Sequence, residues 1–462
     1  MSKPCRTSYI RILLLLLALQ IFTEARAQPI SVNIEVDNKA RTARVSGDFK
    51  GAGPSGESLQ FRRSVTGNNK LYERFSELRS EKVSESGSGS ANRATRWSYV
   101  VDLAPPEDKT AAAHASWLAE DGGVLMLDDL LPLSAANSEH RIVSVNLRLP
   151  DGWSSYTTEG VDGAGRFEVR DRSRSVIFVG SRFREVKTIE GVLLLLDGKW
   201  NFTDSDGEKM VGEVFGAYRN LLGTLPGNRS LVAVTKFPQG ESPGQWEAEA
   251  RGSTVVIASS DVPFKDRSHI RLHEQLRHEI FHLWLPNAVY ITGDYAWFYE
   301  GAALYQSLKL GVSLKRIKFS DFLDTLSRAI SIDRSMPVGR DWSKTLTPQH
   351  YARAMVLAFL LDLQILQETN GLMGAEEGLK DMFRLRSHPL AAAAGAKDEI
   401  ITRYGLRDLF FNYAFGAGKV DYSKDIEAAG LLARDDGRTV TLSVASKPNA
   451  VQRAILKRLG YN

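Results

Sequence analysis

His278-Glu279-Ile280-Phe281-His282, followed by Glu300 within Trp297-Phe298-Tyr299-Glu300-Gly301, is the stretch that decides how the rest of the chain is interpreted. On a helix, histidines at this spacing place both imidazoles on one face, one turn apart. Two imidazoles with a third ligand from another segment suit Zn²⁺ and leave one coordination position open. Glu279 is placed to act on a water molecule at that position. The pattern predicts a catalytic zinc site with His278, His282 and Glu300 as ligands.

The sequence around this motif favours two consecutive helices. Leu272, Leu276 and Ile280 give the first segment an apolar side. The turn-rich connector, with Pro286-Asn287 and Gly293-Asp294, allows the second helix to fold back and bring Glu300 to the histidines. The alternative is that the two histidines are ordinary residues of an amphipathic helix.

Length and charge limit the classes of protein that this chain can represent. With 462 residues it is too long for one simple core, so we expect two or three domains. The formal charge is +4, from 59 basic and 55 acidic side chains. Residues 1–27 hold four basic and one acidic residue, so the remainder has 55 against 54, or +1. This balance gives no electrostatic support for nucleic-acid binding.

The first 27 residues have the pattern of an export signal. Basic residues precede an apolar run from Ile12 to Phe22, and Ala25-Arg26-Ala27 fits a cleavage site. We therefore expect a periplasmic or secreted protein without a membrane span after cleavage; the alternative is an uncleaved membrane anchor. Cys5, the single cysteine, lies inside this segment, which excludes thiolate ligands from the mature protein.

The remaining chain predicts an α+β protein in three parts. Residues 28–190 contain short alternating segments such as Ser31–Val36, which indicate a β-rich, sandwich-like domain. Residues 191–432 begin with strand-like runs and continue with helical patterns, which predicts a mainly helical catalytic domain. Residues 433–462 predict a short strand and helix as a tail.

The motif region resembles the gluzincin metallopeptidases, and more narrowly the glycyl aminopeptidase and aminopeptidase N groups. The similarity lies in His278–Asn287 and in Trp297–Tyr305, where a tryptophan precedes the glutamate by three positions and a glycine follows it. A looser similarity covers Tyr351–Met355, the pair Leu361-Asp362 and the segment Thr369–Gly371. The resemblance extends over about residues 190–432 and implies a thermolysin-like catalytic domain.

The resemblance also implies roles for individual residues. His278, His282 and Glu300 would bind Zn²⁺, and Glu279 would take a proton from the attacking water and pass it to the leaving amine. Tyr351 would donate to the developing oxyanion. For Tyr351 the alternatives are a packed helix aromatic, or His350 in the same role. Asp294 is a candidate to orient a metal-bound histidine, although a surface turn residue is an equal interpretation.

One departure from the family pattern concerns the substrate amino terminus. The Gly-x-Met-Glu-Asn sequence that holds this group in aminopeptidase N is absent, and the matching place is near Glu249–Ser253. Glu247 or Glu249 could hold an amine, but solvated charges are the simpler interpretation. The strand Thr254–Ala258 could pair with an extended substrate.

The sequence therefore predicts an exported zinc metallopeptidase, aminopeptidase-like, with a peptide or protein substrate. The choice between exo- and endopeptidase and the oligomeric state stay open. The alternative from another class is a zinc-containing, catalytically silent peptide-binding protein of the envelope.

Overall fold

The computed structural model describes residues 30–50, 59–84, 93–132, 142–240, 242–289, 295–335, 342, 347–385, 409, 413 and 419–461. The predicted signal segment, residues 1–27, lies outside this part of the chain. Within the described residues, no helix combines the length and the apolar character needed to cross a membrane.

Two sheets form the amino-terminal region. The seven-stranded sheet has the order β3-β4-β2-β1-β7-β10-β9, and the four-stranded sheet has the order β5-β6-β11-β8. Their strands are β1 (Ile30–Asp37), β2 (Thr42–Lys50), β3 (Phe75–Ser84), β4 (Arg93–Asp102), β5 (Trp117–Leu118), β6 (Gly122–Met126), β7 (Val143–Arg148), β8 (Ser154–Tyr156), β9 (Gly160–Val161), β10 (Phe167–Val169) and β11 (Val176–Gly180). Short helical turns are inserted at Leu71–Arg74, Lys109–Ala113, Leu127–Leu130 and Arg172–Arg174.

A shared apolar core joins these two sheets. Along β1, the side chains of Val32, Ile34 and Val36 are buried and alternate with polar ones, because successive residues of a strand point to opposite faces. They pack in one cluster with Leu125 and Ile177 of the four-stranded sheet. The β-rich character predicted for this region is confirmed.

A five-stranded sheet begins the second region. Its strands are β12 (Arg184–Lys187), β13 (Leu193–Leu196), β14 (Leu231–Thr235), β15 (Trp246–Arg251) and β16 (Thr254–Ser259), in the order β12-β13-β14-β16-β15. The three inner strands are parallel and almost entirely buried, whereas both outer strands run antiparallel to their neighbours. The boundary that we predicted at residue 191 falls inside this sheet, after its first strand.

Helices make up most of the remaining second region. They are α1 (Asp204–Leu222), α2 (Lys265–His282), α3 (Ala296–Ser313), α4 (Phe319–Ser335), α5 (Pro348–Glu368), α6 (Ala375–Leu385), α7 (Ser423–Ala428) and α8 (Ala450–Leu459). Thr203 caps α1 in a reciprocal capping box with Asp206, and Gly223 ends this helix in the left-handed conformation. The predicted α+β fold class is confirmed.

The predicted tail packs into the same core as the helices. Strands β17 (Leu431–Asp435) and β18 (Val440–Val444) pair with each other. The core that includes apolar side chains of α2 also buries Leu442 of β18 and three residues of α8, Ile455, Leu456 and Leu459.

An apolar joint connects the two regions. Trp117, Met126 and Phe178 of the four-stranded sheet pack in one cluster with Leu195 and Leu231 of the five-stranded sheet. The two sheets therefore face each other across buried side chains, and the amino-terminal region is held beside the helices that carry the motif.

Candidate metal centre and active-site cleft

Helix α2 presents both predicted histidines. Leu272, Leu276 and Ile280 are buried in the core at helical spacing, which fixes the rotation of the helix about its axis. His278 and His282 are one turn apart on this helix. Helix α3 packs beside it and supplies Glu300 from its second turn.

The three predicted ligands meet at one point. The Nε2 atoms of His278 and His282 are 3.2 Å apart, and carboxylate oxygens of Glu300 lie 3.5 and 3.6 Å from them. Ligand atoms at tetrahedral angles around zinc, each about 2.1 Å from the ion, would be separated by about 3.4 Å. The donor set of two imidazoles and a carboxylate, with this spacing, fits Zn²⁺.

The surroundings of His282 prepare it as a ligand. Its Nδ1 lies 2.9 Å from the carbonyl oxygen of Leu285 and donates to it, which turns Nε2 toward the centre. Burial alone would lower the pKa of His282, but the Glu300 carboxylate outweighs burial and raises this pKa to about 9. For Glu300, burial raises the pKa, but His282 outweighs it and lowers the pKa well below the ordinary value. The site is electrostatically suited to a positive charge at its centre.

Glu279 lies next to this centre and is 4% exposed. One of its oxygens is 4.0 Å from His278 Nε2. Burial raises the pKa of the Glu279 carboxyl, and His278 and His282 oppose the shift. A raised pKa suits a carboxylate that accepts a proton and later returns it near neutral pH.

Tyr351 lines the same cleft from the first turn of α5. Its side chain is partly accessible, with 38% of the residue exposed. Burial, with a smaller contribution from Glu300, raises the pKa of its hydroxyl to about 12, so this group stays protonated and can donate. His350 has a different place: its Nδ1 accepts from the Thr347 backbone N–H at 3.2 Å and caps the helix.

The metal centre lies in a cleft of about 800 Å³. Helices α2 and α3 form the floor, α5 contributes Tyr351 and Met355, and β15 forms one wall. The amino-terminal region contributes Thr66 and His114 to the same cleft. Tyr299 also lines it, with its ring centroid 6.2 Å from that of His282.

The prediction that the strand at Thr254–Ala258 pairs with substrate is wrong. That strand, β16, is flanked by β14 and β15, so both of its edges are already hydrogen-bonded. The edge strands of this sheet are β12 and β15, and of the two, β15 lines the cleft. A substrate strand that reaches the metal centre would therefore add at β15.

The two glutamates of β15 differ in their surroundings. Glu249 lies 2.7 Å from His114 Nδ1 and 2.9 Å from Arg251 Nε, so its charge is balanced and it is not a solvated surface residue. Arg251 in turn reaches Asp128 of the amino-terminal region at 2.6 Å. Glu247 also lines the cleft, and no cation of the described residues lies within 4.0 Å of its carboxylate.

Asn287 connects the end of helix α2 to strand β15. Its Nδ2 donates to the carbonyl oxygens of His282 and Ala250, both at 2.9 Å, and its Oδ1 accepts from the Gly252 N–H at 2.8 Å. The side chain thereby sets the separation between the predicted ligand His282 and the wall of the cleft.

Sequence reasoning missed several residues of the cleft. His114 lies 135 positions before its partner Glu249, and the sequence contains no local signal for this pairing. Arg277 directly precedes the first histidine and Tyr299 directly precedes Glu300, so both could have been found by asking which sequence neighbours of the ligands also border the cleft. Asp294 lies outside the described residues.

Comparison with known proteins places this architecture. No protein-family model and no curated protein sequence matches the chain. Solved structures do: the fold is that of the M1 zinc metallopeptidases. An aminopeptidase N family protein from Idiomarina loihiensis is similar with a TM-score of 0.69 at 13% identity, over 89% of this chain and 81% of that chain.

A second neighbour has a lower score but is covered almost completely. An M1 zinc metallopeptidase from Deinococcus radiodurans has a TM-score of 0.51 at 12% identity, over 86% of this chain and 94% of that chain. A mutant of it bound to a Tyr-Ser-Ala substrate gives 0.52 at 13% identity, with the same coverage. At these identities the likeness establishes the fold, and at that level the resemblance to the gluzincin aminopeptidases is confirmed.

Proposed function

We propose that this protein is a zinc-dependent peptidase with an aminopeptidase-like preference. The observation that carries the proposal is the meeting of His278, His282 and Glu300 at spacings that fit zinc, with the buried Glu279 beside them. The names of the structural neighbours, which are M1 zinc metallopeptidases, support the same reaction class.

The residues divide the work of amide hydrolysis. When bound, Zn²⁺ supplies Lewis acidity that activates water and polarises a carbonyl. Glu279 accepts the proton of the attacking water and delivers it to the leaving nitrogen. Tyr351 donates its hydroxyl proton in a hydrogen bond to the oxygen on which negative charge develops. Each step uses a side chain that lines the cleft.

The preference for a free amino terminus is proposed from β15. An extended peptide that adds to the free edge of this strand passes Glu247, whose carboxylate has no cation partner among the described residues. A substrate ammonium group would supply that partner. Glu249 is a poorer anchor because His114 and Arg251 already hold its carboxylate.

The test combines metal content with one conservative substitution. The purified protein should hold about one zinc ion per chain and cleave peptides. Glu279→Gln should keep the zinc and lose at least about 1,000-fold in kcat, because the proton acceptor is gone. Glu368→Gln, an exposed glutamate at the end of α5, serves as the matched control and should leave kcat unchanged.

Two outcomes would contradict the proposal. Normal turnover by Glu279→Gln would remove Glu279 from the mechanism. Full zinc occupancy without cleavage of any peptide would instead favour the alternative, a catalytically silent peptide-binding protein. Mass spectrometry of a peptide-library digest separates the cleavage modes, since trimming from the amino terminus and internal cuts leave different product ladders.

Export is part of the proposal and rests on the pattern of residues 1–27. Amino-terminal sequencing of the protein recovered from the periplasm or culture medium should begin at Gln28. A cell-associated protein that starts at Met1 would contradict cleavage.

A further inference from the structure

Arg277 is a buried cation on the wall of the metal cleft. It directly precedes the ligand His278, lines the cleft and is only 6% exposed. No carboxylate oxygen of the described residues lies within 4.0 Å of its guanidinium nitrogens. A buried charge without a paired counter-charge is costly, so its presence beside the metal centre requires an explanation.

Neutral groups hold this guanidinium in place. Its Nε donates to the carbonyl oxygen of Ser307 at 2.9 Å, and its Nη1 donates to Nδ1 of His273 at 2.6 Å. His273 Nε2 then donates to Glu213 at 3.2 Å. Burial, followed by the charge of Arg277, lowers the pKa of His273 to about 4, so this ring is neutral at physiological pH.

The carboxylate beyond His273 does not cancel the positive charge of Arg277. Glu213, at the far side of His273, forms its own ion pair with Arg316. The arrangement therefore orients the guanidinium and leaves a positive charge at the cleft. Of the five N–H groups of an arginine, two have protein acceptors here, so the fork retains donors for an anionic ligand.

We propose that Arg277 binds the carboxyl terminus of the substrate on the leaving-group side, and that the protein prefers short peptides with a free C-terminal carboxylate. This inference rests on the proposed peptidase function and names its substrate class. Guanidinium and carboxylate match in geometry and charge, and their hydrogen bonds are among the strongest in proteins.

The position of Arg277 sets the length of the preferred substrate. The Ser307 carbonyl, seven positions after Glu300 on α3, accepts from Arg277, and the guanidinium carbon lies beside Gly311, eleven positions after Glu300. At a rise of 1.5 Å per residue this corresponds to about 10–16 Å along the helix. An extended peptide covers about 3.3 Å per residue, so a leaving segment of about three to five residues reaches from the metal centre to the guanidinium. With one residue on the amino side, peptides of about four to six residues fit.

Glu274 is the competing charge on this wall. It is exposed, it lies three positions before Arg277 on the same helix, and it lines the same cleft. Its carboxylate repels a substrate carboxylate, so removing this charge should strengthen the preference. An increased preference for the free carboxylate distinguishes a specific effect of charge at this wall from a general loss of activity.

The decisive experiment uses the unaltered zinc-loaded protein. Synthetic peptides of two to eight residues are compared as free acids and as C-terminal amides. For peptides of about four to six residues, the amide should lower kcat/KM by about 10- to 100-fold, mainly through KM, because one charge-assisted contact is lost. For octapeptides, the difference should be less than about threefold, since their carboxyl termini lie beyond Arg277. Equal cleavage of acids and amides at every length would overturn the inference.

Three variants extend the test. Arg277→Gln should abolish the difference between acid and amide, whereas Glu274→Gln should increase it. Arg277→Lys, which keeps the charge but loses the fork, should retain part of it. If Arg277→Gln does not fold, the comparison of acids and amides by the unaltered protein still decides. Failure to cleave any peptide contradicts the proposed function, whereas cleavage without an acid preference contradicts only this inference.

Discussion

Replacement of Asn287 is expected to loosen both the metal centre and the wall of the cleft. Its side chain makes three hydrogen bonds, at 2.8, 2.9 and 2.9 Å, to backbone groups of Gly252, Ala250 and His282. At about 1 kcal/mol net for each bond, Asn287→Ala should lower the free energy of unfolding by about 3 kcal/mol. Because one of the bonds holds the backbone of a metal ligand, zinc affinity should fall by about 10- to 100-fold.

Asn287→Asp provides the sharper comparison, since it preserves shape and one hydrogen bond. The oxygen that replaces Nδ2 cannot donate and faces the carbonyl oxygens of His282 and Ala250. At neutral pH this variant should therefore be no more stable than Asn287→Ala.

The assays are chemical denaturation of the zinc-loaded protein and competition for zinc with a chelator. An Asn287→Asp protein with the stability and zinc affinity of the unaltered chain would refute the reasoning. So would a loss of stability in Asn287→Ala with unchanged zinc affinity, since the bond to His282 would then have no effect on the ligand.

Three further predictions concern buried charges and the metal. Lys309 forms ion pairs with the buried Asp362 at 2.8 Å and with Glu376 at 3.1 Å. Lys309→Met should therefore lower the free energy of unfolding by about 3–5 kcal/mol, and by less at acidic pH, where the carboxylates are protonated. An unchanged midpoint of denaturation would contradict this. Burial and Arg277 lower the pKa of His273 to about 4, so the unfolded chain binds more protons than the folded protein below about pH 6.5. The contribution of His273 to stability should be full above that pH and should fall by up to about 3 kcal/mol toward pH 4. In a denaturation series against pH, His273→Gln should lose this part of the pH dependence. Zinc at 1,000 times its Kd should stabilise the folded protein by about 4 kcal/mol. Removal of zinc by a chelator should therefore lower the Tm measured by calorimetry, and Zn²⁺ but not Mg²⁺ should restore it.

The meeting of the three candidate ligands could be predicted from sequence because most of its information is local. The spacing of His278 and His282 fixes their relation once the segment is helical, and the apolar side of the segment indicates the helix. Glu300 required a second step, the return of α3 on α2, which the connector only permits. The resemblance to a known family supplied what the connector does not specify.

The walls of the cleft could not be predicted because their contacts join distant parts of the chain. The strand Trp246–Arg251 carries charged residues on the side that faces the cleft, so its pattern indicates solvated glutamates and not a paired one. The ion pair between Arg251 and Asp128 spans 123 positions. Contacts of this kind follow from how the sheets pack, which a single sequence does not state.

The apolar joint between the two sheets has a consequence for how the protein unfolds. Trp117 and Phe178 on one side and Leu195 and Leu231 on the other would all meet water if the regions separated. Separation is therefore penalised by the same force that folds each region, so melting of either destabilises the other. We therefore expect helices α2 and α3 and the β-rich region to unfold as one cooperative unit, which keeps His114 in contact with Glu249 in the cleft.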